Sequence, residues 1–93
     1  MEKPNDLKVE KKDGRTEKFD RTKVLGSMLM AGSSALKAKE ATKQVEKWAQ
    51  ENAKDSVIST SQIRIKVLQL LRDDEPDVAD AFERYKKKLK IKD

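Results

Sequence analysis

The residues from Leu7 to Lys23 run LKVEKKDGRTEKFDRTK, and their charges are spaced for holding an anion rather than for transforming one. Lys11, Arg15 and Glu17 alternate with solvated positions, and Lys23 follows where a helix begins. Lysine and arginine bind phosphate as point charge and fork, and a helix N-terminus can add backbone N–H donors. Two such starts are available, one beside Lys23 and one beside Thr60 and Arg64. The phosphate-cradling loops GxxxxGK[ST] and GxGxxG do not occur. The chain has no cysteine and no histidine, which removes thiol nucleophiles, imidazole acid–base work, disulfides and the usual zinc sites. No carboxylate pair, nucleophile–base pair or metal-ligand spacing argues for catalysis.

The element that must position these side chains is a hairpin around Asp13-Gly14, where glycine supplies the positive φ of a tight reversal. Parity decides its loop. A two-residue turn pairs Lys12 with Arg15 and puts Val9 and Phe19 on opposite faces. A three-residue loop, Lys12-Asp13-Gly14 with Gly14 left-handed, pairs Lys11 with Arg15 instead. Leu7, Val9, Lys11, Arg15, Glu17 and Phe19 then share one face, apolar at the open end and charged near the turn. That face suits a polar, anionic ligand better than a plain core, so the three-residue loop is expected.

Helical stripes follow. Asp20 caps a first helix with Val24, Leu25, Met28 and Leu29 on one side, and Gly32-Ser33-Ser34 ends it. A second helix after Ser34 offers Ala38, Ala41, Val45, Trp48 and Ala49. Val57-Ile58 is a short β-branched run able to add a third strand beside the hairpin. Ser59 and Gln62 have capping-box spacing before a third helix with Ile63, Val67, Leu70 and Leu71 inward. Pro76 opens a last helix carrying Val78, Phe82, Tyr85 and Leu89. The expected fold is α+β: a small N-terminal β-hairpin, with or without the third strand, capping a four-helix assembly.

Ninety-three residues allow one domain with a core that is only just adequate, expected over residues 7–91 behind a flexible tail at residues 1–6. Charged residues make up 42% and hydrophobic residues 35%, a balance near disorder, but the apolar positions are periodic, so the chain is read as folded. Absent cysteine, a signal peptide or a membrane-length apolar run fits a cytoplasmic protein. A net charge of +5 favours anionic partners, with Arg84, Lys86, Lys87, Lys88, Lys90 and Lys92 crowding one end. The plainer account of that crowd is solubility and a helix C-terminus that suits cations.

The run Val9-x-Lys11-Lys12-Asp13-Gly14-Arg15-x-Glu17-x-Phe19-Asp20-x-x-Lys23-Val24 resembles the opening motif of the ATP-cone. That is the small regulatory nucleotide-binding module of many ribonucleotide reductases and of the repressor of their genes. The similarity continues through Ala31-Gly32 and Val57-Ile58-Ser59-Thr60-Ser61-Gln62-Ile63, covers Leu7 to Leu71 well and thins over the last helix. The resemblance implies ATP or dATP as ligand, with or without Mg2+. It implies that Val9 supports adenine through its backbone, Glu17 and Asp20 bond the base, and Lys11 and Lys12 hold phosphates. Lys23 would contact ribose or phosphate, Thr60 and Arg64 would close over sugar and phosphates, and Lys86 or Lys87 would reach the phosphates from the last helix. Arg64 departs from the histidine often present in the reductases. Neither a reductase catalytic domain nor the repressor's zinc ribbon is in this sequence, so a free-standing cone or a cone cut from a larger chain is expected. It would bind nucleotide without catalysis and signal to a protein partner or through self-association.

Taken singly, each residue has a plainer role. Lys11 and Glu17 make a cross-strand ion pair, Asp20 is an N-cap, Lys23 and Arg64 are solvated helix charges, and Thr60 starts a helix. It is the fixed order of so many matches that these separate roles leave unexplained. The alternatives are a small basic nucleic-acid-binding protein and a helical adaptor. Nucleic acid is disfavoured by the lack of compact helix-turn-helix spacing and of an aromatic stacking platform.

Overall fold

A computed structural model of the chain describes the backbone of residues 7–92 and the side chains of residues 7–84. The expected tail at residues 1–6 and the side chains of Tyr85, Lys86, Lys87 and Leu89 lie outside the described residues. The hairpin forms from β1 (Lys8–Glu10) and β2 (Thr16–Lys18). Val9 pairs with Glu17, and the Lys11 N–H donates to the Arg15 carbonyl at 2.7 Å, so the loop holds Lys12, Asp13 and Gly14. Gly14 takes φ +92°, a left-handed conformation that glycine adopts without the Cβ clash of other residues. The odd loop therefore places Leu7, Val9, Lys11, Glu17 and Phe19 on one face, with Leu7 buried and Val9, Lys11, Glu17 and Phe19 half-buried.

β2 passes into α1 (Arg21–Met30) through Phe19 and Asp20 alone. The Phe19 N–H donates to the Leu7 carbonyl, and the Asp20 carboxylate accepts from the Thr22 N–H at 2.9 Å. The far end of α1 is closed by Gly32 at φ +108°, with Gly32 N–H bonded to the Leu29 carbonyl and Ser33 N–H to that of Met28. These two bonds form a Schellman motif. Ser34 then caps α2 (Ala35–Asn52).

β3 (Val57–Ser59) lies parallel to β1, giving the sheet order β2-β1-β3. A parallel neighbour needs a long crossover, which α1 and α2 supply. β3 is launched by a two-residue turn, in which Lys54 and Val57 exchange both backbone hydrogen bonds at 2.9 Å around Asp55 (φ 53°) and Ser56 (φ 65°). Both central residues have positive φ, as a type I′ turn requires, although neither is glycine. Ser59 then caps α3 (Thr60–Asp74), with the full capping box to Gln62 formed, and Pro76 opens α4 (Pro76–Lys92).

The helical stripes meet under the sheet. Met28, Val45, Ile58, Val67 and Phe82 are the largest fully buried side chains, one from each of α1, α2, β3, α3 and α4. Leu29, expected on the inner stripe of α1, is instead 41% exposed, because α1 packs through Val24, Leu25 and Met28. Trp48 is half-buried and lies under the Lys66 ammonium at 5.7 Å, whereas Thr42, not on the expected stripe, is buried. Thr42 tolerates that position because its hydroxyl donates to the Ala38 carbonyl at 2.7 Å. No described helix is long and apolar enough to cross a membrane.

Candidate functional site

Three separate elements bring one anion and two cations to one point. Glu17 on β2 is the diagonal neighbour of Lys11, just past β1, because the register sets Val9 opposite Glu17 and Lys11 opposite Arg15. Lys11 Nζ lies 3.6 Å from Glu17 Oε1. Lys23, in the first turn of α1, lies 3.5 Å from the same oxygen. Asp20, which fixes where α1 begins, thereby also fixes where Lys23 stands. One carboxylate faces two ammonium groups, so the cluster keeps an excess positive charge and suits a further anion. Glu17 and Lys11 side chains are each 38% exposed, enough for a ligand to reach them.

On the other side of β1, α3 is pinned to the same strand end. The Thr60 hydroxyl donates to the Glu10 carbonyl at 3.1 Å, one residue before Lys11. Arg64 stands one turn further along the same face of α3. Its Nε is buried and has no hydrogen-bond partner among the described residues. A buried guanidinium N–H without an acceptor costs free energy, and an anionic oxygen would satisfy it. That demand, together with the lysine pair, fits a phosphorylated ligand in kind.

Of the residues expected from sequence, Val9, Lys11, Glu17, Asp20 and Lys23 are thus gathered by the hairpin and α1, with Thr60 and Arg64 beside β3. Lys12 is exposed in the hairpin loop. Lys86 and Lys87 fall where no side chain is described. Two contributors were not anticipated. The Glu10 carbonyl carries no side-chain signal, and the ion pair of Arg21 to Glu46 at 3.1 Å, which steadies α1 on α2, joins residues too far apart in sequence to be paired by pattern. Among the described residues no group of three or more acidic side chains is placed to hold a metal ion.

No characterised protein matches the chain closely. Against known protein families, residues 7–91 match the ATP cone domain. That match spans nearly the whole chain, the hairpin and all four helices included, so the protein belongs to the ATP cone domain family, whose members are regulatory modules that bind ATP or dATP.

Proposed function

We propose that residues 7–91 act as one adenine-nucleotide sensor in the cytoplasm, binding ATP or dATP without turning it over and passing its state to a protein partner or a second copy. In this reading the adenine lies against the Val9 backbone, and its amino group donates to Glu17, with Asp20 as the second acceptor. Lys11 and Lys12 hold phosphates, Lys23 meets ribose or phosphate, and Thr60 and Arg64 cover sugar and phosphates from α3. Mg2+ would arrive on the triphosphate rather than on a dedicated acidic cage. A basic side chain of the last helix, Lys86 or Lys87, completes the phosphate contacts. The observation that carries the reading is the convergence of Lys11, Glu17 and Lys23 from three elements on one carboxylate oxygen.

Calorimetric titration with ATP, dATP, ADP and GTP side by side tests it. Adenine triphosphates should bind most tightly, and Lys11→Ala should weaken ATP by about 1–3 kcal/mol, the range for a lost charge-assisted bond. Absence of adenine-nucleotide binding at millimolar concentration would sink the proposal. Salt-dependent DNA binding indifferent to ATP would replace it with the nucleic-acid reading.

A further inference from the structure

Two of the lysines proposed to meet the nucleotide, Lys11 and Lys23, are paired with Glu17. Lys11 Nζ at 3.6 Å and Lys23 Nζ at 3.5 Å share a single oxygen of Glu17, as they would share an oxygen of a phosphate. Each pair is partly solvated and individually weak. Their arrangement nonetheless has a consequence for which anions can enter.

A bare polyphosphate that takes both lysines draws them away from the Glu17 carboxylate. It has no N–H to offer that group, so it gains two cations but leaves an unpaired like charge nearby. A nucleotide whose base carries an exocyclic amino group is different. The amino group donates to the Glu17 carboxylate and replaces a partner that is lost when the lysines turn to the phosphates. Base and phosphates then open the cluster together, and neither half opens it as well alone.

Resting on the nucleotide reading above, we propose that Glu17 is a gate as well as a base contact: an internal counter-anion that makes phosphate binding at Lys11 and Lys23 conditional on an amino-bearing base. The site thereby rejects free polyphosphate by electrostatic repulsion, which is discrimination built against the wrong ligand rather than for the right one. Lys11, Glu17 and Lys23 come from β1's end, β2 and α1, so the gate exists only when the hairpin and α1 are docked.

The test titrates the full chain with ATP and with sodium tripolyphosphate at low and high salt, as wild type, Glu17→Gln and Glu17→Ser. Thermal melting confirms that each variant folds, as expected for a side chain 38% exposed. At low salt both variants should bind tripolyphosphate about threefold to tenfold more tightly than wild type, the scale of one like charge removed at close range. ATP should bind the variants no better, so the preference for ATP over tripolyphosphate collapses. The gain should shrink at high salt as the charges are screened. If wild type binds ATP and the variants gain nothing for tripolyphosphate, the gate is wrong and the nucleotide site stands. If wild type binds no ATP, both fall together.

Discussion

The hydroxyl of Ser33 donates to Glu75 Oε1 at 2.6 Å, joining the α1–α2 corner to the α3–α4 corner across 42 residues of chain. Ser33 is 7% exposed, so removing its hydroxyl leaves a half-buried carboxylate short of a donor. The adjacent Lys37–Asp74 pair at 3.6 Å is exposed and a poor substitute. Ser33→Ala should therefore destabilise the fold by about 1.5–3 kcal/mol, the range for a hydrogen bond to a charged group. For a domain of this size that is a fall in melting temperature of roughly 6–24 °C. A melting curve superimposable on wild type would show the bond to be dispensable.

Positive-φ positions should respond in opposite directions to substitution. Gly14 stands at φ +92° with nothing within 4 Å of an added Cβ, so Gly14→Ala costs only the left-handed conformation, about 1 kcal/mol. Ser56 already bears that cost at φ 65°, and Ser56→Gly should relieve it, raising stability by up to about 1 kcal/mol. Urea denaturation of the two variants settles the signs. A destabilised Ser56→Gly protein would mean that the serine side chain earns its place in another way.

Arg64 is expected to serve binding at the expense of folding stability. Its Nε is buried and has no hydrogen-bond partner among the described residues, so Arg64→Met removes a desolvated donor and keeps the apolar stem. The ligand-free variant should be as stable as wild type or up to about 1 kcal/mol more so. Its ATP affinity should fall by about tenfold, the scale of one lost charge-assisted bond. A variant with unchanged ATP affinity would place Arg64 outside the site.

The hairpin loop should carry an acid-sensitive contact. The Arg15 N–H, donating to Asp13 Oδ1 at 3.1 Å, is the main cause that holds the Asp13 carboxyl below its usual value of 3.8. Slight desolvation opposes it, and the Arg15 guanidinium at 2.8 Å from the other oxygen reinforces it. A depressed folded-state value means that the stabilisation is complete above the unfolded value and is lost as pH falls through the folded one. The Arg15 amide resonance should stay constant at neutral pH and begin to move only below the usual carboxylate range. Asp13→Asn should abolish that response.

Much of the fold was legible because its signals are local. Asp13-Gly14, the Asp20 cap, the Ser59–Gln62 box and Pro76 each act within a few residues, and each element begins or turns where they stand. Parity alone selected the three-residue loop, since a one-residue slip would turn Glu17 and Phe19 away from the face that Val9 and Lys11 share. The Asp55-Ser56 turn left a weaker mark, because Asp55 tolerates positive φ but Ser56 stands where glycine is the usual choice. Leu29 and Thr42 were misplaced by a stripe argument that ignores how a neighbouring helix is rotated.

By itself the order of residues determined the hairpin register, the helix starts and the set of cations and carboxylates from which a site can be made. Only the tertiary structure decided that Lys23 reaches the oxygen already shared with Lys11, that Thr60 hangs from the Glu10 carbonyl, and that Arg64 keeps an N–H buried without an acceptor among the described residues. Those are relations between segments up to 50 residues apart, fixed by how α1 and α3 dock on the sheet, and no pattern within one segment encodes them.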